Sequence, residues 1–251
     1  RTIPFTNKDF DYSRMFAYHQ ESNSLILYSD GQIVSLQLDS GAQTELFRVS
    51  EKDIAALKLS QDQQYLAIAH GSSITVIDLK EEDPTFPLKF VHPEEDPNIE
   101  VDHSLILDLV WVNAETIVFR DYEHIWTFSL ASRVGEQIHT AEKRVNLGSQ
   151  IWYLNGTDII VTANSRLSDQ LLRLNWKTGE TSMFAKEKYN LPNRTQIQSM
   201  EHGKWWGYSK EEKIILQDAN GSRKIEINKF KSDIITLHHP KDGMIIAGNN
   251  N

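Results

Sequence analysis

The chain contains no cysteine. That excludes a disulfide framework and any thiolate metal site, and it fits a reducing compartment. Proline and glycine are few, at 7 and 12 of 251 residues, and methionine occurs only 4 times. No apolar run approaches the roughly 18 residues of a membrane span; Ile106–Val112 is short and is interrupted by Asp108. Helical periodicity does not persist for a dozen residues anywhere, which disfavours a parallel α/β fold. No secretory signal pattern opens the sequence. Arg1 stands there instead of an initiator Met, so the reading expects an upstream segment.

Motifs of catalysis are missing as well. There is no Gly-x-Ser-x-Gly elbow, no His-Glu-x-x-His, no phosphate-binding Gly-Lys-Ser/Thr and no Gly-x-Gly-x-x-Gly. The nine histidines are scattered. His238 and His239 are adjacent, so on a strand they point to opposite faces and share a metal poorly. Asp102-His103 reads as a loop pair, and Glu81-Glu82 lies in a solvated run without the split environments that acid–base carboxylates need. The reading assigns no catalytic residue, no metal ligand and no cofactor, and it expects a protein that is not an enzyme. A site at the central mouth of the fold, of hydrolase or lyase type, is the rival reading.

What is present is a repeat. An apolar run recurs from Leu25, Tyr65, Ile117, Ile159, Trp205 and Met244. Subtraction gives intervals of 40, 52, 42, 46 and 39 residues. Such periods, with several short strands each, are the mark of β-propeller blades. The predicted fold is therefore all-β, a WD40-like β-propeller with about six blades visible and the last one incomplete, forming a single domain over residues 1–251.

The second unit is the cleanest. Ile54–Leu59 alternates as a strand, Gln61-Asp62-Gln63 is a polar turn, and Tyr65–Ala69 is a continuous apolar run suited to burial on both faces. Gly71-Ser72 turns the chain into Ile74–Ile77, and Leu88–Val91 supplies an outer fourth strand.

The other units follow the same plan. Unit one places Asp30-Gly31 between Leu25–Tyr28 and Ile33–Leu38, a strong hairpin signal. Unit three has Ile106–Val112, Thr116–Phe119 and Ile125–Leu130, with Asp121-Tyr122-Glu123 as the second turn. Unit four has Ser149–Leu154, Ile159–Ala163 and Leu171–Trp176; unit five has Gln196–Met200, Trp205–Tyr208, Lys213–Gln217 and Arg223–Ile227. Unit six retains Asp233–Leu237 and Met244–Ala247, and Ile3-Pro4-Phe5 could lend it an outer strand. Gly41, Gly179 and Gly221 follow third strands, where the turn requires a positive φ.

The 52-residue interval has a cause in residues 81–97. Glu81-Glu82-Asp83-Pro84 and His92-Pro93-Glu94-Glu95-Asp96-Pro97 are acidic, proline-containing loops. They read either as a plain excursion or as a partner-binding insertion.

Net charge is −9, which argues against nucleic acid as a partner. It is unevenly placed. Residues 1–125 carry 9 Lys/Arg and 22 Asp/Glu, net −13; residues 126–251 carry 17 and 13, net +4. The split is either ordinary surface variation or two partner surfaces. The partner surface selected from it is basic: Lys204, Lys210, Lys213, Arg223 and Lys224; the Trp205-Trp206 pair reads either as packing toward the two neighbouring blades or, with Trp206 exposed, as a binding anchor on that surface. The other four tryptophans, Trp111, Trp126, Trp152 and Trp176, are expected on strands, packing between blades. Asn155, Asn193 and Asn220 open Asn-x-Ser/Thr triplets in turns, without meaning in a cytosolic protein.

A family resemblance enters at Ile106-Leu107-Asp108-Leu109-Val110-Trp111, followed by Glu115-Thr116-Ile117-Val118-Phe119. These residues resemble the N-terminal β-propeller of the Bulli family. Ile54–Ser60 through Leu66-Ala67-Ile68, Trp152-Tyr153 with Ile159-Ile160-Val161, and Ile234-Ile235 with His238-His239 extend the likeness over most of the chain. That family supplies the third subunit of the metazoan Mon–Ccz complex, the longin-domain guanine-nucleotide exchange factor for the late-endosomal Rab GTPase. The resemblance implies a non-catalytic scaffold or regulatory subunit acting in endosomal and lysosomal trafficking and autophagy; a propeller scaffold of another trafficking or coat complex is the alternative of the same class. Its partners would be the longin-domain Mon and Ccz subunits and, through them, the Rab GTPase. Its place would be the cytoplasm, peripheral on late-endosome and lysosome membranes. It also implies an α-helical C-terminal half beyond this chain. The Trp-Asp dipeptide of WD40 repeats is missing.

Overall fold

A computed structural model describes residues 16–29, 31–49, 54–81, 88–91, 105–141, 145–165, 169–184, 198–200, 205–210, 213–218, 224–228, 237–238 and 246–247. Among them every regular element is a strand. The first sheet is β1 (Phe16–His19), β2 (Ser24–Ser29), β3 (Gln32–Gln37) and β4 (Gln43–Arg48), in that order and antiparallel throughout. The second is β5 (Ile54–Leu59), β6 (Tyr65–His70), β7 (Ser73–Asp78) and β8 (Leu88–Val91). The third is β9 (Asp108–Trp111), β10 (Thr116–Arg120), β11 (His124–Ser129) and β12 (Val134–Thr140). The fourth is β13 (Val145–Asn155), β14 (Asp158–Ser165), β15 (Asp169–Asn175) and β16 (Thr181–Met183). The fifth is β17 (Gln198–Met200), β18 (Trp205–Lys210), β19 (Lys213–Asp218) and β20 (Lys224–Asn228). A two-stranded sheet, β21 (Leu237–His238) with β22 (Ile246–Ala247), comes last. Repeated four-stranded meanders are the blades of a propeller-like fold. The apolar runs from Leu25, Tyr65, Ile117, Ile159 and Trp205 are the second strands of their sheets, and of the run from Met244 the described part, Ile246–Ala247, is β22.

Two compact units divide the chain, Arg1–Gln137 and Ile138–Asn251. Within the first, β1 packs against β5 and β5 against β9, so first strands stand side by side. Within the second, β13, β17 and β21 follow the same order.

β6 shows how the first unit is held. Leu66, Ala67, Ile68 and Ala69 are all at 0 % exposure. Successive strand residues point to opposite faces, so both faces of this strand are covered. Leu66 and Ile68 join Ile26, Ile33, Ile54, Leu57 and Ile77 in one cluster. Ala67 and Ala69 join Ile74, Val76, Leu109, Trp111, Ile117, Phe119, Trp126 and Phe128 in another. Small side chains on the second sheet thus leave room for large aromatic ones on the third. Trp111 lies between those sheets. Its ring stacks on Tyr65 at 6.2 Å between centroids, and its Nε1–H donates to the Lys58 carbonyl at 3.0 Å. Burial, followed by the nearby Asp78 carboxylate, pushes the Tyr65 hydroxyl pKa up, so the phenol stays neutral. In the second unit, Ile151, Trp152, Leu154, Ile159, Ile160, Val161, Leu171 and Leu174 are buried on the fourth sheet.

Four strands escape the sequence reading: β1, β4, β12 and β16. Three of them, β4, β12 and β16, are outermost and mostly exposed. An edge strand packs little, so its residues need no apolar alternation. The sequence pattern places Trp176 on a strand. It lies instead in the turn after β15, half-buried, with Nε1–H donating to the Gly156 carbonyl at 3.2 Å. Trp111, Trp126 and Trp152 are buried on strands as expected. The suggested outer strand at Ile3-Pro4-Phe5, the turn around Gly221, Asp102-His103, and most of the acidic 81–97 stretch lie outside the described residues.

Three turns from third to fourth strand, those of the first, third and fourth sheets, share one closure. In each, the amide of the left-handed residue donates to a carbonyl four residues earlier: Gly41 to Gln37, Gly179 to Asn175 and Arg133 to Ser129, all at 2.8 Å. Gly41 and Gly179 have φ of 78° and 75°, as the sequence predicts. The third sheet instead places Arg133 there, at φ 58°. A Cβ in this conformation is strained by about 1–2 kcal/mol.

This packing sets two expected outcomes. Trp111→Ala should lower stability by about 3–5 kcal/mol through lost burial and a cavity, read by urea denaturation; a near-unchanged midpoint would refute burial between the sheets. Arg133→Gly should raise stability by about 0.5–1 kcal/mol, because relief of strain exceeds the added freedom of the unfolded chain. A lower melting temperature in that variant would show that the Arg133 side chain stabilises the turn.

Candidate functional site

Among the described residues, the most highly organised polar group is the β10–β11 turn. Arg120 ends β10, His124 begins β11, and Asp121 lies between them, buried. The Asp121 carboxylate collects four contacts. Oδ1 accepts the Glu123 amide at 2.7 Å and the His124 amide at 2.5 Å. Oδ2 accepts the Trp126 indole N–H at 2.9 Å and lies 3.2 Å from His124 Nδ1. The His124 ring meets Trp126 edge-on, 5.9 Å between centroids. An aspartate that starts a turn and accepts amides two and three residues on mimics a backbone turn. Here the same carboxylate also fixes an indole and an imidazole from the following strand.

Chemically, this carboxylate is an organiser. Its lone pairs are engaged by the amides, the indole and the ring nitrogen. What it displays is the turn tip: Tyr122 is 44 % exposed and Glu123 is exposed. An exposed tyrosine on a fixed backbone can be buried by a partner at little entropic cost. Behind the tip, Arg120 at 0 % exposure stands opposite buried Asp108 in the β9–β10 ladder. A second turn aspartate, Asp62, follows the same rule on the surface. It accepts from Ser60 Oγ at 2.6 Å and the Gln64 amide at 3.2 Å, and the Ser60 hydrogen bond lowers its pKa below the ordinary aspartate value.

The outer strands form the second exposed feature. Val134 on β12, Met183 on β16 and Ile225 on β20 are each about half exposed. Isolated apolar residues on edge strands offer contact points without a large patch.

The residues selected from the sequence fall on the fifth sheet. Trp206 lies on β18, in register with Ser199 and Gln217. Lys210 and Lys213 pair across the β18–β19 hairpin, and Lys224 opens β20 opposite Gln217. The antiparallel meander therefore splits them. Lys224 shares its row with Trp206, whereas Lys210 and Lys213 lie four residues along, roughly 13 Å away. That exceeds a Debye length of about 8 Å at physiological salt. Lys204 and Arg223 lie outside the described residues. In the sequence the Asp121 turn is legible only as a polar turn. The signal for its fuller role is an Asp followed at fixed offsets by two ring N–H donors, His124 and Trp126.

Among the described residues, no three His, Asp or Glu side chains converge to hold a metal ion, and no helix is long and apolar enough to cross a membrane.

Comparison with known proteins adds the fold's relatives. The family described as the YNQ4 N-terminal domain matches residues 21–65, from the β1–β2 turn to the start of β6. No curated protein matches the chain. In three dimensions the chain is similar to an oligogalacturonate lyase in complex with manganese, with a TM-score of 0.63 and 9 % identity over 86 % of this chain and 65 % of that one. It is similar to a chain of a nidogen/laminin complex, at 0.59 and 11 % over 87 % and 82 %. A chain of the mitotic checkpoint complex gives 0.58 and 12 % over 89 % and 68 %. At such identities the likeness establishes a propeller-like fold. The chain spans about two thirds of the lyase's length, 65 %.

Removing the organiser tests the turn. Asp121→Ala leaves the buried Trp126 indole and two amides without their acceptor and should cost about 3 kcal/mol. Asp121→Asn, which keeps one carbonyl oxygen, should cost less. Urea denaturation followed by tryptophan fluorescence reads both; a loss under about 1 kcal/mol for the alanine variant would show that the strand ladder alone holds the turn.

Proposed function

We propose that this chain is a docking platform, a non-catalytic scaffold or regulatory subunit within a larger assembly. The observation that carries this reading is the distribution of exposure. Middle strands such as β6 and β10 are buried nearly throughout, while β4, β12 and β16 stand largely in solvent. A rigid interior with polar edges and a pinned turn tip presents side chains without ordering cost on binding. Two of the similar structures, the nidogen/laminin and mitotic checkpoint chains, come from protein complexes, which supports the same class of role.

The finer reading rests on the Bulli-like residues, from Ile54–Ser60 and Ile106–Phe119 through Trp152–Val161 to Ile234-Ile235 with His238-His239. It makes the chain part of a Rab guanine-nucleotide exchange complex. The longin-domain Mon and Ccz subunits would be its partners, and the complex would sit peripherally on late endosomes and lysosomes. Exchange chemistry would belong to the longin subunits, and no residue here would enter it. The full-length protein should co-elute with a purified Mon–Ccz pair in size-exclusion chromatography. Separate elution at about 10 μM, weaker than most specific complexes, would overturn this assignment and leave the general platform role to be tested with other partners.

A catalytic reading takes its support from the lyase among the fold relatives. Incubation with oligogalacturonate and manganese separates the two: the platform reading expects no unsaturated product.

The basic residues of the fifth sheet give a kinetic prediction. The combined variant Lys210→Glu, Lys213→Glu and Lys224→Glu should slow association with an acidic partner or anionic membrane and flatten its salt dependence, with the fold intact by circular dichroism. Unchanged association rates would move the interface elsewhere, first to the acidic 81–97 stretch.

A further inference from the structure

The β13–β14 hairpin turns through Asn155, Gly156 and Thr157, all exposed. Asn155 Oδ1 accepts the Thr157 amide at 3.3 Å. A Cβ built on Gly156 would meet nothing within 4 Å, so space around this residue is open. The ladder register shifts between Tyr153 and Asn155, which marks an irregular strand end. Asn155 then pairs with Asp158.

An asparagine followed by glycine carries its own electrophile and nucleophile. The next residue's backbone nitrogen can attack the side-chain carbonyl carbon. Glycine has no Cβ to shield that nitrogen or to restrict the backbone rotation that brings it in. The Thr157 N–H adds a specific activation. By donating to Oδ1 it draws electron density from Cγ and stabilises the oxyanion that forms there, as oxyanion-hole donors do in acyl transfer.

We propose that Asn155 is a site of spontaneous backbone-directed deamidation. A bond forms between Gly156 N and Asn155 Cγ as the Gly156 amide proton passes to solvent. The Cγ–Nδ2 bond breaks as the nitrogen takes up a proton from solvent, and it leaves as ammonia, closing a five-membered succinimide. Water then opens the ring at either carbonyl. One product carries an ordinary aspartyl residue at this position. The other carries an isoaspartyl linkage, in which the main chain runs through Cβ and Cγ. No oxidant or cofactor is required.

The products differ in consequence. Either one puts a carboxylate opposite Asp158, whose own carboxylate is bound by Arg173 through Nε at 2.9 Å. The isoaspartyl form also inserts a methylene into the main chain at a tight turn. That displaces β13 against β14, the pair that buries Ile151, Leu154, Ile159 and Val161. A change of reach at the hairpin misaligns side chains along both strands. The fourth sheet therefore carries a chemical clock whose isoaspartyl product loosens it.

The test ages the purified full chain at mildly alkaline pH and maps peptides by mass spectrometry. A gain of about one dalton at Asn155, split into aspartyl and isoaspartyl peptides and methylated by isoaspartyl methyltransferase, is expected from the loss of an amide in favour of an acid. Gly156→Ala should slow the conversion several-fold, and Asn155→Gln should abolish it at this position. No conversion at Asn155 in the folded chain, over a period in which a synthetic peptide of residues 150–160 converts, would overturn the site. The isoaspartyl fraction, separated from the aspartyl one, should melt at a lower temperature. Identical melting would overturn the loosening of the sheet.

Discussion

Burial of both faces of the middle strands is the constraint on which the other features depend. A four-stranded meander has one ladder but two faces, and β6 is apolar on both. Alone, such a sheet would leave a whole row of side chains in water. At about 25 cal/mol per Å² of apolar surface, that exposure is prohibitive for an isolated unit, so neighbours must stack. Stacking then fixes the rest. First strands align side by side, turns are confined to the two ends of each sheet, and outer strands are left to solvent.

Polar groups obey the same geometry. Ser73, Thr75, Asp108, Arg120 and Asp121 are buried, and most sit where strands end. There the ladder stops and backbone amides need other partners. Asp121 supplies them for one turn, and His70 Nε2 meets Thr75 Oγ1 at 2.8 Å across another hairpin end. Edge strands carry no such requirement, which is why their sequences drift toward Gln, Thr, Glu and Ser.

That difference explains what can be read in advance. β6 and β10 announce themselves, because burial on two faces demands unbroken apolar residues. Gly41 and Gly179 announce their turns, because a positive φ suits glycine. β12 and β16 leave no trace, since an exposed edge accepts almost any side chain. The turn that the structure singles out is half visible: Asp121 is legible as a turn residue. Its hold on Trp126 and His124 depends on side-chain directions that spacing alone does not specify. Tyr122 gives no signal, since exposure at a tip is a property of the folded hairpin.

Ala67 and Ala69 have a consequence beyond their own packing. They share a cluster with Trp111, Phe119 and Trp126, while Leu66 and Ile68 on the reverse side join a mainly aliphatic one. β6 is thus two-sided in volume, small toward the third sheet and large toward the first. The units look like repeats but are not exchangeable parts. A copy of the third sheet in place of the second would set aromatic bulk against aromatic bulk. Relatedness between these two sheets therefore survives in strand spacing, whereas complementary volume decides which of their faces meet.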